Sequence, residues 1–146
     1  MVRATAIGAV LGLWAALPAL ALSPMQAMFP DKSGCYSRSY AMSHLAAHPD
    51  QLVTDIALVA EGSIADPMIG LWIFAELRGD IAGSYEGFAF CENTGGSLSC
   101  MMEGDAGSFT LSPAKDGAVL LEVGRHGMSF EGEVDFITLM SDRGDD

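Results

Sequence analysis

Two histidines and a methionine near the N-terminus have the spacing of a metal site. His44 and His48 are four residues apart, which places two imidazoles on one face of a helix, and Met42 lies two residues before His44. Met25 and Met28 add a pair of thioethers, and imidazole with thioether selects copper or another soft metal. The proline after His48 favours an end to the helix there. The competing interpretation is a helix-end histidine with core-filling methionines and no metal.

No arrangement of residues marks a catalytic centre. The serines lie in no Gly-x-Ser-x-Gly turn, and the chain has neither a phosphate-binding glycine loop nor a dinucleotide fingerprint. Glu131 and Glu133 alternate along a predicted strand and so point to one solvent face. A carboxylate-dependent hydrolase would need two acids facing each other across a cleft, and it stays open as an alternative. The sequence predicts no catalytic residue, no cofactor and a protein that binds rather than catalyses.

Four aromatic side chains are candidates for a binding surface. They are Trp72, Phe74, Tyr85 and Phe88, in and after the most apolar stretch that follows the N-terminal region. An exposed patch of such side chains would mark an interaction site. The competing interpretation places each of them in the core, where large apolar side chains usually lie.

Two cysteines are placed symmetrically about a glycine pair. Gly95-Gly96 is typical of a two-residue hairpin loop, and counting outward from it sets Cys91 opposite Cys100. That position is a non-hydrogen-bonded pair, where Cα atoms approach to about 4.5 Å, a distance that a disulfide spans. The sequence therefore predicts a structural Cys91–Cys100 bridge. Cys35 is then left over: it is buried, joins two chains, or replaces one partner as Cys35–Cys91 or Cys35–Cys100.

The N-terminal region has the pattern of a cleavable export signal over Met1–Ala21. Arg3 supplies a positive charge, and the uncharged apolar run Ala4–Leu17 is too short for a bilayer span. Ala19-Leu20-Ala21 has the small-x-small pattern of a cleavage site, so the mature chain is expected to begin at Leu22. The sequence thus predicts a periplasmic or secreted protein, in a compartment where cysteines oxidise.

The chain is strongly acidic, with nineteen Asp and Glu against seven Lys and Arg and a net charge of −12. Such a surface repels phosphates and anionic headgroups, so nucleic acid is not an expected partner. No second apolar run reaches spanning length, so stable membrane insertion after signal cleavage is not expected. A basic protein or a cationic ligand is the kind of partner that this charge attracts, although acidity is also a common route to solubility.

The apolar pattern predicts one exported β domain over residues 22–140, followed by an acidic tail over residues 141–146. A short helix is expected over Tyr40–Ala47, with Ser39 as its N-cap. From Leu52 onward, apolar residues alternate with polar ones and turn signals recur about every ten residues. This predicts a mainly β fold: about seven antiparallel strands in a meander, forming a barrel or a sandwich.

Four local patterns refine this fold. Met68–Arg78 is apolar on both faces, so it is expected to be a central strand or to meet the helix. Asp116-Gly117 predicts a type I′ hairpin turn. Gly124–Gly127 is expected to be a turn, and the shift of apolar phase at Phe136-Ile137 predicts a bulge.

Several short motifs are spread over the region after the predicted signal. They are Cys35-Tyr36, His44-Leu45-Ala46-Ala47-His48-Pro49, Cys100, Glu103-Gly104-Asp105 and Ser108-Phe109-Thr110-Leu111. With them the chain resembles a loosely defined group of small exported proteins of unknown function from Gram-negative bacteria. Members of that group can carry a further cysteine near Gly104, and its absence here would leave Cys35 or Cys100 without that partner. The resemblance implies no activity.

In size and strand count the chain is also similar to periplasmic lysozyme inhibitors, which are small β-barrels. None of their loop motifs is found in this sequence, so this similarity implies a fold and no function.

Overall fold

The computed structural model describes residues 20–141, and most of them belong to one antiparallel β-sheet. Within that range the sheet has eight strands, which follow one another in chain order. The strands are β1 (Cys35–Ser39), β2 (Val53–Glu61), β3 (Ile69–Leu77), β4 (Gly83–Thr94), β5 (Ser97–Met102), β6 (Gly107–Pro113), β7 (Val119–Gly132) and β8 (Phe136–Leu139). The predicted mainly β meander is confirmed, with β1 as a strand that the sequence pattern did not indicate.

The export signal and the acidic tail predicted from the sequence lie almost wholly outside the described residues. Only Leu20 and Ala21 of the signal and Ser141 of the tail are included. No helix within residues 20–141 is long and apolar enough to cross a membrane.

A short helix, α1 (Pro24–Met28), precedes the sheet. The Ser23 hydroxyl accepts a hydrogen bond from the Gln26 backbone, and the Gln26 side chain accepts one from the Ser23 backbone, which forms a capping box. The helix places Met25 and Met28 in the core, each less than 7% exposed. Asn93 of β4 accepts a hydrogen bond from the Met25 backbone, which ties α1 to the sheet.

The second helix, α2 (Met42–Ala47), is shorter than predicted. Its N-cap is Ala41, which offers no side-chain cap, so the prediction of Ser39 as the cap is wrong. Ser39 is the last residue of β1 and pairs with Asp55 of β2, and the Tyr40 backbone donates to Thr54. Pairing with β2 therefore keeps the chain extended over two residues that could otherwise start the helix.

The core lies on one face of the curved sheet and is most complete at β3. Every second residue of that strand points inward and is at most 5% exposed. These inward residues are Ile69, Leu71, Ile73, Ala75 and Leu77. β3 lies between β2 and β4, as expected of a central strand, but its outer face is open rather than covered by a helix.

Two long strands bring the sheet back toward itself. β4 pairs with β3 and β5 and also reaches β7, where Tyr85 pairs with Gly132 and Glu86 with Glu131. This contact encloses the inner face between the middle strands and the last ones.

The predicted turn at Gly124–Gly127 is wrong, because β7 runs through these residues. These residues form a register shift between β6 and β7. Val123 pairs with Phe109 and Met128 pairs with Gly107, so β7 has more residues than β6 between the two pairs. The bulge predicted at Phe136-Ile137 is also wrong. The phase shift there marks a tight turn, in which the Gly132 backbone donates to the Asp135 carbonyl before β8 begins.

Other turns agree with the sequence. Asp116 and Gly117 take positive φ angles of 58° and 73° between β6 and β7, as the predicted primed turn requires. Short 3₁₀ segments form at Pro30–Lys32, Gly79–Ile81, Glu103–Asp105 and Lys115–Gly117.

The predicted disulfide is confirmed. Thr94 pairs with Ser97 across the Gly95-Gly96 loop, and Cys91 pairs with Cys100 at a Cα–Cα distance of 4.0 Å. Both half-cystines are buried. The competing Cys35–Cys91 and Cys35–Cys100 pairings are wrong, and Cys35 is a free, exposed thiol rather than a buried one.

We expect loss of this bridge to lower the free energy of unfolding by about 2–3 kcal/mol, because it closes only a short loop in the unfolded chain. Urea denaturation compares two variants. One carries Cys35→Ser alone, and the other carries Cys35→Ser together with Cys91→Ala and Cys100→Ala. Cys35→Ser alone is the control and should match the wild type. Equal midpoints with and without the bridge would contradict the prediction.

Candidate functional site

An apolar cleft of about 690 Å³ lies between the first two strands and the last two. β1 and β2 form one wall, and β7 with the end of β8 forms the other. The volume is in the range of protein pockets that hold small molecules. We call this space the inner cleft.

The walls of the inner cleft are apolar side chains that the fold leaves half-buried. Most inward residues elsewhere in the sheet are covered by another strand or by α1, whereas these face the open space between the walls. The floor is better covered and includes Leu58, Met128 and Phe130. The half-buried wall residues are Val53, Ile56, Val119, Leu121, Val123 and Leu139.

Polar side chains line the end of the inner cleft next to α2. The Arg38 guanidinium lies 4.8 Å from the centre of the Tyr40 ring, within the range of a cation–π contact. The Tyr40 ring also stacks on His44, with centroids 5.0 Å apart. Gln51 lies 2.9 Å from His44 Nε2 through its Oε1 and donates to the Val53 carbonyl through its Nε2. This network fixes the rim where the apolar walls end.

Arg78 holds α2 against the sheet at this rim. Its Nη2 donates to the Leu45 carbonyl at 3.0 Å and to the His48 carbonyl at 2.7 Å, and its Nε donates to the Gln51 carbonyl at 2.7 Å. The carbonyls at the end of a helix lack partners within it, so a guanidinium fork satisfies them well. One side chain thereby sets the position of His44 and Gln51.

The inner cleft differs in charge from the rest of the protein. Although the chain has nineteen acidic residues, none of those within residues 20–141 lines it. Among the described lining residues, Arg38 is the charged one. The described lining therefore includes no pair of facing acids of the kind that the hydrolase alternative needs.

Hydrogen bonds displace the pKa of two acids outside the cleft. Hydroxyl donors on Ser39 and Thr54 hold the pKa of Asp55 below its ordinary value. Ser63 has the same effect on the pKa of Glu61 through its hydroxyl and its backbone N–H. Both shifts favour the ionised form, which is opposite to the raised pKa of a carboxylic general acid.

The three residues proposed as metal ligands lie on α2 and at its C-terminal end. The rings of His44 and His48 stack face to face, 4.2 Å apart. One nitrogen of each ring already lies at hydrogen-bond distance from Gln51 or from the His44 carbonyl. Met42 is 80% exposed. Within residues 20–141 no group of three His, Cys, Asp or Glu could hold a metal ion. The soft-metal site with His and Met ligands stays a prediction.

Three of the four predicted aromatic residues lie together on the outside of the sheet. Trp72 and Phe74 are 37% and 41% exposed, and Trp72 packs on Phe88 at a centroid distance of 4.9 Å. Phe90, which the sequence analysis did not include, extends the group by an edge contact with Phe88. We call these four residues the outer aromatic face.

Tyr85 is not part of the outer aromatic face. It pairs with Ala75, whose side chain points inward, and its hydroxyl donates to the Ile81 carbonyl at 3.0 Å. Tyr85 is half-buried and packs against the core, so it lies apart from the other three predicted surface residues.

Sequence reasoning missed the residues of the inner cleft for two reasons. β1 is mostly polar and short, so Arg38 had no apolar alternation to mark it as an inward residue. Leu121 and Val123 do follow the alternation, but an inward residue that faces a core and one that faces a cleft have the same pattern.

Comparisons with known proteins do not assign the chain to a family. No family model matches the chain, and no curated protein and no solved structure is significantly similar to it. The resemblance to small exported proteins and the similarity to lysozyme inhibitors therefore stay predictions.

We expect Arg78→Lys to lower the free energy of unfolding by about 1.5–3 kcal/mol. The guanidinium donates to four backbone carbonyls, those of Leu45, His48, Pro49 and Gln51, whereas an ammonium has three donors on a single nitrogen. Hydrogen exchange should also accelerate at the amides of α2. Urea denaturation and amide exchange measure the two effects.

The matched control is Arg125→Lys, an exposed arginine on β7, which should change stability by less than about 0.5 kcal/mol. If Arg78→Lys has no larger effect than this control, the hydrogen bonds of Arg78 do not hold α2.

Proposed function

We propose that the chain is an exported, non-catalytic binding module whose ligand occupies the inner cleft. The observation that supports this most directly is a set of inward apolar side chains, from Val53 to Leu139, that face an open space of about 690 Å³. Such concave, mostly apolar sites with few polar groups are the usual form of small-molecule sites.

Apolar surface exposed in a cleft is a source of binding energy. Each Å² that a ligand removes from water contributes roughly 25 cal/mol, before the cost of ordering the ligand. The walls are formed by paired strands, so little rearrangement is needed to receive a ligand. Preformed walls keep that ordering cost low on the protein side.

The chemistry of the cleft is that of a binding site. Its polar groups are concentrated at one rim, around Arg38, Tyr40 and Gln51. None of the described acids lines the cleft to act as a general acid or base there. Polar groups at one end are suited to orienting a ligand.

Export is supported by the buried Cys91–Cys100 bridge together with the signal pattern at the N-terminus. Structural disulfides persist in oxidising compartments such as the periplasm or the exterior of the cell. A periplasmic or secreted binding module would meet its ligands outside the cytoplasm.

We expect a neutral apolar fluorophore such as N-phenylnaphthylamine to bind the purified mature protein, and Val123→Phe to weaken that binding by about tenfold or more, because the larger ring projects into the space between the walls. The measurement is a fluorescence titration. Circular dichroism and urea denaturation of each variant establish that it is folded.

The control is the double variant Trp72→Ala and Phe74→Ala, which reduces the outer aromatic face and leaves the cleft intact. It should bind the fluorophore as the wild type does. If this variant loses binding and Val123→Phe keeps it, the ligand surface is the outer aromatic face and the cleft proposal is wrong. Absence of binding by the wild type would also overturn it.

A further inference from the structure

We infer that the ligand class of the inner cleft is a single-chain amphiphile with one negative charge, such as a long-chain carboxylate. Its apolar chain would lie between β1–β2 and β7–β8, and its head group would bind the Arg38 guanidinium. This inference rests on the proposed function, since it names the ligand for the same cleft.

The distribution of charge is the first argument. In a chain of net charge −12, acids are expected on most surfaces, yet no described acid lines the cleft and an arginine does. A cationic ligand would be drawn to the acidic exterior and repelled at this rim, whereas an anionic head group finds its one complementary charge there.

The position of Arg38 is the second argument. It pairs with Ile56, whose side chain lines the cleft, and Tyr36 and Leu58 form the next inward pair. The guanidinium therefore lies beside the apolar wall on the inner face of the sheet, between Tyr36 and Tyr40, rather than on the opposite face. A chain lying against that wall could bring its head group to Arg38.

The third argument is that the donors of the Arg38 guanidinium are not used by a carboxylate of the described residues. The Tyr40 ring supports it at 4.8 Å, and no carboxylate within residues 20–141 forms an ion pair with it. A cation–π contact uses none of the N–H donors of the guanidinium, and their planar fork matches the two oxygens of a carboxylate. Tyr40 thus contacts the guanidinium without using its donors.

Within the described sheet, the free edge of β1 adds backbone polar groups next to Arg38. The Tyr40 backbone N–H donates to the Thr54 carbonyl of β2, and the Gly34 carbonyl accepts from the Ala60 backbone N–H of the same strand. The even-numbered residues of β1 and its flanks therefore form the hydrogen-bonded pairs with β2. Ser37 and Ser39 then direct their backbone groups to the other side of β1, and both line the cleft. An anion at Arg38 lies within the same strip of chain as these donors.

The acidic exterior also limits the head group to a low charge. Long-range repulsion from a net charge of −12 grows with the charge of the ligand, and one arginine offsets a single carboxylate. Nucleotides and polyphosphates are therefore poor fits, and a monoanionic chain is the best one.

The test is calorimetric titration of the mature protein with dodecanoate, dodecanol and dodecyltrimethylammonium, each below its micelle concentration. We expect dodecanoate to bind most tightly, and Arg38→Gln to weaken dodecanoate by about tenfold while leaving dodecanol unchanged. Arg38→Lys keeps the charge but loses the fork and should give an intermediate affinity.

The matched control is Arg125→Gln, which makes the same change in net charge at an exposed position of β7 that does not line the cleft. It should bind dodecanoate as the wild type does. Equal loss in Arg38→Gln and Arg125→Gln would mean that net charge alone matters, and would overturn the inference.

Two further outcomes separate this inference from the proposed function. If dodecanol or the ammonium binds as well as dodecanoate, and Val123→Phe blocks all of them, the cleft is a binding site but Arg38 does not choose the ligand. If none of the three binds while the neutral fluorophore does, the cleft takes apolar ligands of another class. If neither the chains nor the fluorophore binds, both proposals fail.

Discussion

The inner face of β3 is the constraint on which the rest of the structure depends. Its inward side chains, from Ile69 to Leu77, are almost fully excluded from water. A slip of one residue against either neighbouring strand would turn that row outward, so burial fixes the register of β2 and β4 together. The register of β4 against β3 then directs Cys91 inward and places Tyr85 against the core, and the Gly95-Gly96 loop sets Cys100 opposite Cys91. The buried position of the bridge therefore follows from the buried row of β3, and its pairing follows from the local turn.

The same alternation generates both apolar surfaces of the protein. Because β3 and β4 are apolar on both faces, the residues that do not enter the core form the outer aromatic face. The inner cleft has a different origin: β1 and β7 carry inward side chains, but neither strand pairs with the other within the described residues. The outer aromatic face thus consists of the outward residues of paired strands. The inner cleft is a space between strands that do not pair with each other.

Features that depend on residues adjacent in sequence could be predicted, whereas features that depend on contacts between strands distant in sequence could not. The Gly95-Gly96 loop and the Asp116-Gly117 turn were predictable because their backbone preferences are local. β1 was not, because its five mostly polar residues become a strand only by pairing with β2. The cleft depends on the spacing between strands far apart in sequence, so Arg38 and Val123 could not be joined into one site from the pattern alone.

The acidic exterior and Arg38 have different electrostatic roles, since none of the acids within residues 20–141 lines the inner cleft. The exterior charge keeps copies of the chain apart and repels polyanions at long range, where its effect falls off within about 8–10 Å at ordinary salt. Arg38 acts at contact distance, where its exposed guanidinium lies over the Tyr40 ring and can meet a head group directly. A ligand must therefore supply enough apolar contact to overcome the repulsion before its head group reaches the arginine. That requirement favours long chains with a single charge over small anions, which experience the repulsion and gain little from the walls.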